Sequence, residues 1–169
     1  RMMMAVMNPE GIYHSTRKGY NVLTTPLTGD MDQFRAQTAA FHRAKAEMGE
    51  AGRHLILQAS RAAFLTTSEA HRRAKLEQAQ EHYGRLDNLY TGPGLVEEGM
   101  VRSLPRSQSV EDLAQNILVC SASEMVDRLG VFCECGVDVA SLVLNFGSSH
   151  AETMETIHRI AEDVMPHFK

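Results

Sequence analysis

The sequence predicts an α/β fold in which parallel strands alternate with amphipathic helices. Apolar runs at residues 2–6, 20–24, 54–66 and 137–144 have the length and composition of strands. Helical spacing and a helix-start signal follow each of them. The chain therefore contains four βα units in one partial domain, residues 1–169, with a loop excursion at about 90–119.

The first unit begins with an apolar run that includes three consecutive methionines. Such a run is typical of a strand buried on both faces, and we expect the cluster Met2, Met3, Met4 and Met7 to pack in this way. Asn8, Pro9 and Glu10 then follow the pattern of a helix start: a cap, a proline at the first position and an acid near the positive end of the helix dipole. This helix is predicted to end near residue 18.

Longer helices follow the second and third strands. A capping box of Asp30 and Gln33 predicts a helix to about residue 48, whose buried stripe consists of Phe34, Thr38, Phe41, Ala44 and Met48. A second capping box, Thr66-x-x-Glu69, predicts a charged helix to about residue 86. We expect its charged side chains to be solvated.

Glycines and prolines interrupt the βα rhythm between residues 90 and 109, and long connections of this kind tend to be functional or mobile. A short helix at 109–116, an extended piece at 117–119 and a helix capped by Ser121 are predicted next. The last strand precedes a helix capped by Ser149 and Glu152, whose core face is predicted to contain Met154, Ile157, Ala161 and Val164.

Composition narrows the classes of function. The net charge of -4 argues against nucleic acid as the main partner, and the sequence has no apolar stretch of membrane-spanning length or signal-peptide pattern. Three cysteines are an odd count, which favours reduced thiols in a cytoplasmic protein. Because Cys133-x-Cys135 has no second ligand pair, no metal site is predicted.

Parallel strands in this order fit either an open doubly wound sheet or half of an eight-fold barrel. The glycine-rich dinucleotide fingerprint and the P-loop pattern are both missing, which weakens the open-sheet alternative and leaves it open.

Four segments carry a resemblance to a known family. They are AVMNPEGI (5–12), CSASEMVDRL (120–129), GVDVASLVLNFGSSH (136–150) and IAEDVMPHF (160–168). In this order and spacing they resemble the C-terminal half of bacterial luciferase-like flavin-dependent monooxygenases, over essentially the whole chain. The chain departs from the family pattern at Cys120 and Ala122, which stand for Gly and Pro, and at Asn8 and Gly11, which each stand for Ser.

The resemblance implies units five to eight of a (β/α)8 TIM barrel. It also implies monooxygenation of a small organic substrate by dioxygen and reduced FMN supplied by a flavin reductase, although some members use a deazaflavin. Asn8 and Gly11 match positions that contact the FMN phosphate, with Met7 and Glu10 beside them. The alternative is that these residues only start a helix.

The family's catalytic residues lie largely in the first four units, so no catalytic residue is assigned and the chain alone is expected to be inactive. Because Arg1 is no initiator and a strand opens the chain, partner strands are expected upstream. The alternative is a truncated, non-catalytic flavin-binding or assembly module. Open sheet edges then favour a homo-oligomer or pairing with a separate N-terminal half.

The remaining polar residues suggest no catalytic set. His42, His71 and His82 lie on charged helical stretches and are predicted to be solvated, and His14 is predicted to lie on a helix surface. Ser148, Ser149 and His150 follow the last strand, where we expect helix capping by Ser149. No Ser-His-Asp or Cys-His arrangement can be assembled.

Overall fold

Strands and helices alternate along the chain in a computed structural model that describes residues 2–27 and 29–168. The strands are β1 (Met3–Ala5), β2 (Asn21–Thr24), β3 (Leu57–Leu65), β4 (Val96–Glu97), β5 (Met100–Val101), β6 (Leu118–Cys120) and β7 (Val139–Val143). The α-helices are α1 (Pro9–Arg17), α2 (Met31–Met48), α3 (Glu69–Tyr90), α4 (Val110–Asn116), α5 (Ala122–Glu134) and α6 (His150–Arg159). Among the described residues, no helix combines the length and the apolar character needed to cross a membrane.

Residue contacts divide the chain into two lobes. The first lobe comprises Arg1–Arg61 and Val126–Val143, and the second comprises Ala62–Met125 and Leu144–Lys169. The division falls within β3 and within α5, so each of these elements contributes to both lobes. The expectation of one partial domain with four βα units stays a prediction.

The first lobe contains parallel pairs between β1 and β2 and between β2 and β3. Strand β7 also pairs with β3, and Asp138 accepts a hydrogen bond from the Leu57 N–H at 2.7 Å. The lobe's core lies between strands and the helices α1 and α2, and it includes the fully buried Ile12, Val22 and Phe41. The predicted buried stripe of α2 is confirmed at Phe34, Thr38, Phe41 and Ala44, and Met48 is partly buried.

The second lobe pairs the C-terminal part of β3 with β6 in parallel, with Ala63 opposite Leu118. Helix α3 contributes Leu76 and Tyr83 to its core. Strands β4 and β5 form a hairpin within the predicted excursion. Both turn residues of that hairpin, Glu98 and Gly99, have positive φ angles of 49° and 79°, as tight two-residue hairpins require.

The prediction that β1 is buried on both faces is wrong. Met2 is 63% exposed, Met4 37% and Met7 51%. Strand β1 lies at the end of the strand order, and β2 is its one partner among the described strands. Met3 is partly buried, whereas Met4 and Ala5 are exposed.

The predicted start of α3 is also wrong. Thr66 does not cap this helix, because its N–H donates to the Cys120 carbonyl at 2.9 Å and continues the ladder between β3 and β6. Ser68 is the cap instead, and its hydroxyl accepts from the His71 N–H. The helix continues to Tyr90, and its Lys75 is buried rather than solvated.

The predicted core face of the last helix is confirmed at Val164 and wrong at the other three positions. The buried residues are Thr156, Ile160 and Val164, whereas Met154 and Ile157 are 38% and 43% exposed and Ala161 is exposed. Glu152 explains the difference, because it binds the buried Lys75. Residues four, eight and twelve positions after Glu152 then follow on the same side, with a π-helical turn at Ile160–Val164.

Candidate functional site

The ends of β1 and β2 lie side by side in the first lobe. The two strands are parallel, with Ala5 opposite Leu23, and the Val6 N–H donates to the Leu23 carbonyl at 3.0 Å. Parallel strands bring their carboxyl ends to the same edge of a sheet, which is where α/β proteins bind ligands. Met7 and Thr25 follow the two strands at this edge.

The start of α1 forms the predicted phosphate-contacting segment. Asn8 is the N-cap, and its Oδ1 accepts a hydrogen bond from the Gly11 N–H at 2.6 Å. Pro9 has no N–H to offer, and the Ile12 N–H donates to the Asn8 carbonyl at 3.0 Å. A phosphate at this helix start would therefore meet the Glu10 N–H and the Asn8 Nδ2 group, in addition to the positive end of the helix dipole.

The backbone at Gly11 lies too close to its neighbours to carry a side chain. A Cβ at this position would lie 2.8 Å from Val6 Cγ1 and 3.0 Å from Asn8 Oδ1. The missing side chain thus permits the close packing of Val6 and the Asn8 cap against the first turn of α1. Glu10 lies within 3.7 Å of His14 Nε2, one helical turn along the surface, and both side chains are well exposed. This pairing draws the carboxylate along the helix surface.

The helix start thus offers two hydrogen-bond donors, the Glu10 N–H and Asn8 Nδ2, that fit the phosphate end of a flavin nucleotide. They are equally compatible with the alternative, in which these residues only start the helix, because Asn8 caps α1. The roles of Met7, Asn8, Glu10 and Gly11 in binding a cofactor therefore stay a prediction.

Two polar side chains at this edge were missed by the sequence reasoning. Gln37 is fully buried within the apolar face of α2, and Arg61 is buried within β3. The sequence feature that could have indicated Gln37 is its place directly before Thr38, which belongs to the predicted buried stripe of α2. The signal for Arg61 was a charge inside an apolar run, where an unpaired ion is costly.

Ser149, which follows β7, caps α6 as predicted. Its hydroxyl accepts from the Glu152 N–H, and the Glu152 carboxylate accepts from the Ser149 N–H, which completes a capping box. Ser148 Oγ lies 3.3 Å from Lys75 Nζ, and His150 is exposed. The Lys75 ammonium, which binds Glu152 at 2.7 Å, together with the Ser149 N–H and hydroxyl, lowers the pKa of the Glu152 carboxyl to about 2.

The three helical histidines predicted to be solvated are each partly buried. His42 Nε2 lies 3.0 Å from the Cys135 carbonyl oxygen. His71 Nδ1 lies 3.3 Å from Thr67 Oγ1. Desolvation by burial, with a smaller contribution from a neighbouring arginine, lowers the pKa of His82. His14 is exposed, as predicted.

The three cysteines are thiols that form no disulfide with one another, of which Cys120 is buried and Cys133 is exposed. Within residues 2–27 and 29–168, no group of three or more His, Cys, Asp or Glu side chains is placed to hold a metal ion. A cavity of about 110 Å³ lies beside the end of β3 in the second lobe, with Phe64, His71 and Glu155 in its wall.

Solved structures of flavin- and F420-dependent enzymes share the fold of this chain. An F420-dependent secondary alcohol dehydrogenase, solved with an F420–acetone adduct, aligns with 99% of the chain at a TM-score of 0.69 and 12% identity. The monooxygenase RslO1 from Streptomyces bottropensis aligns with 100% at 0.68 and 19% identity. The oxygenating constituent of 3,6-diketocamphane monooxygenase from Pseudomonas putida, solved with FMN, aligns with 99% at 0.64 and 12% identity.

The chain spans about half the length of these proteins, 48% in each of the three. Comparison with protein-family models gave no match, and comparison with curated proteins gave none. At these identities the likeness establishes a shared α/β fold with a parallel sheet, and the expected fold class is confirmed to that extent.

Proposed function

We propose that this chain is the C-terminal half, units five to eight, of a (β/α)8 barrel that acts as a luciferase-like, FMN-dependent monooxygenase. One observation carries the proposal: the whole chain aligns with about half of a monooxygenase solved with FMN and of an F420-dependent dehydrogenase. The order of parallel βα units agrees with it. The proposed setting is the cytoplasm.

In this proposal the chain contributes the phosphate end of the FMN site. Asn8 Nδ2 and the Glu10 N–H donate to the phosphate, Gly11 allows the close contact between Asn8 and the first turn of α1, and Met7 precedes them after the first strand. Reduced FMN, supplied by a flavin reductase, would provide the chemistry with dioxygen on a small organic substrate. The chain's own residues bind and orient the cofactor.

An Asn8→Asp variant separates a role in phosphate binding from a role in capping. Asp caps a helix about as well as Asn, so α1 stays intact, but the variant loses the Nδ2 donor and gains a negative charge. We expect the FMN affinity to fall by about tenfold or more, the equivalent of one charged hydrogen bond, while the affinity for riboflavin, which lacks the phosphate, stays unchanged. Titration calorimetry of the 169-residue chain measures both affinities.

The matched control is Asp30→Asn, which makes the reverse exchange at the cap of α2. It is expected to leave both affinities unchanged. Equal FMN and riboflavin affinities in the unaltered chain, or an Asn8→Asp variant that binds FMN normally, would count against the phosphate site. Oxygen-dependent turnover by this chain alone with chemically reduced FMN would contradict the half-barrel proposal.

The second candidate is a non-catalytic flavin-binding or assembly module of the same fold. The exposed apolar residues on β1 and β7 favour it, because Met2, Met4, Val139 and Val143 are each 36% or more exposed. Such surfaces mark contacts with another polypeptide, either a second copy or a separate N-terminal half. Mass spectrometry compared with the encoding reading frame, and light scattering for the oligomeric state, distinguish the two candidates.

A further inference from the structure

We propose that Gln37 is a positioning residue that holds the ends of β1 and β2 together and thereby fixes the start of α1. Its side chain is fully buried on α2. The Nε2 group donates to the Met7 carbonyl at 2.6 Å and to the Thr25 carbonyl at 3.2 Å. One amide therefore binds the residue that follows each strand by one or two positions.

The orientation of this amide follows from its partners. Both Nε2 hydrogens are used on carbonyl oxygens, and a flipped amide would place Oε1 against the same two oxygens. Oε1 is then left without a hydrogen-bond partner among the described residues, although it is buried. An unpaired buried acceptor lowers stability, and the two hydrogen bonds that Nε2 donates offset part of that cost.

Arg61 binds two carbonyl groups in the connection that follows β2. Its buried guanidinium donates to the Leu27 carbonyl at 2.9 Å and to the Gly29 carbonyl at 3.1 Å. Leu27 has a φ angle of 52°, which is uncommon for a residue other than glycine. Arg61 thus binds the Leu27 and Gly29 carbonyls, and Gln37 links the Met7 carbonyl to Thr25 at the start of the same connection.

Met7 immediately precedes Asn8, the cap of α1. A shift of the Met7 carbonyl therefore moves Asn8 and the first N–H groups of the helix. The consequence for ligand binding rests on the proposed function, in which these groups contact a phosphate, whereas the positioning of α1 by Gln37 does not depend on it.

A Gln37→Met variant tests the inference, because Met fills a similar volume without donating hydrogen bonds. Hydrogen exchange of the Gly11 and Ile12 amides is compared with that of β3 amides in the 169-residue chain. We expect about tenfold faster exchange in the first turn of α1, the equivalent of one lost hydrogen bond, and little change in β3. Ala39→Met, at an exposed position of the same helix, is the control and should leave both rates unchanged.

The FMN and riboflavin affinities of the same variants complete the test. A selective loss of FMN affinity together with faster exchange in α1 supports the inference and the proposed site. Faster exchange in a chain that never distinguishes FMN from riboflavin supports the positioning role and overturns the proposed site. Unchanged exchange in α1, or the same acceleration in α1 and β3, overturns the inference. If Gln37→Met does not fold, the shorter Gln37→Asn provides the same comparison.

Discussion

The ion pair between Lys75 and Glu152 joins a buried charge to a partly exposed one, so removing either residue should change the stability of the second lobe by a different amount. The Lys75 side chain is 3% exposed and that of Glu152 is 42% exposed, and their charged atoms lie 2.7 Å apart. When one member of such a pair is removed, the cost depends on how well water reaches the charge that is left. We therefore expect Glu152→Gln to destabilise the chain more than Lys75→Met.

The magnitudes follow from the contacts that remain. Glu152→Gln keeps the capping box, since Gln also functions at this position, but it leaves a buried ammonium with neutral partners: Gln78, Ser148 and the Phe64 ring at 4.7 Å. Because these partners remain, we expect a loss of about 2 kcal/mol, below the 3–5 kcal/mol typical of a broken buried pair. Lys75→Met leaves a solvated carboxylate and packs a thioether on Phe64, so about 1 kcal/mol or less is expected.

Urea denaturation of the two single variants and the double variant at pH 7 measures these free energies of unfolding. The double variant should resemble Lys75→Met, because the unpaired ammonium is then gone. If Lys75→Met costs as much as Glu152→Gln, or if the two effects simply add, the assignment of the cost to the buried ammonium is refuted.

Two further predictions concern the same pair and a crowded glycine. The pKa of Glu152 is lowered to about 2 from an ordinary 4.5, so its stabilisation is complete above pH 4.5 and is lost as the pH falls towards 2. After allowance for its exposure, the gap in unfolding free energy between wild type and Glu152→Gln should shrink over that window by about 1–2 kcal/mol, which urea denaturation at several pH values measures. Gly19 and Gly136 both have positive φ, but a Cβ at Gly136 would lie 2.5 Å from His42 Nε2 whereas Gly19 has open space. Gly136→Ala should therefore lower stability by about 1–3 kcal/mol more than Gly19→Ala, and equal losses by thermal denaturation would contradict the predicted clash.

Helix starts were the features that the sequence predicted best. Asn8, Asp30 and Ser149 each cap the helix that local pattern assigned to them. A cap needs only a side-chain oxygen and an N–H three residues later, so its chemistry is contained in a few consecutive positions. Thr66 shows the limit of this reasoning, because it has the capping-box pattern and yet Ser68, which is followed three residues later by His71, is the cap. The choice between them depends on the ladder between β3 and β6.

Side chains whose partners lie far along the chain were not predictable. Lys75 was assigned to a solvated face because its neighbours in sequence are charged, but Glu152 pairs with it from another helix. Gln37 is similar, since both of its carbonyl partners lie in connections that follow other elements, β1 and β2. Periodicity identifies which face of a helix is apolar and carries no information about a polar partner brought there by tertiary structure.

Two incorrect predictions of burial point in the same direction. In the first lobe the methionines of β1 form an apolar run and yet are exposed, and in the second lobe Met154 and Ile157 have the spacing of a buried stripe and are also exposed. Soluble proteins seldom leave contiguous apolar surface uncovered, and where they do, it marks a contact. The solved structures that share this fold are about twice as long as the chain. Exposed residues in a buried pattern are expected where further polypeptide covers a surface, and both proposed candidates, half of a barrel and an assembly module, have such a surface.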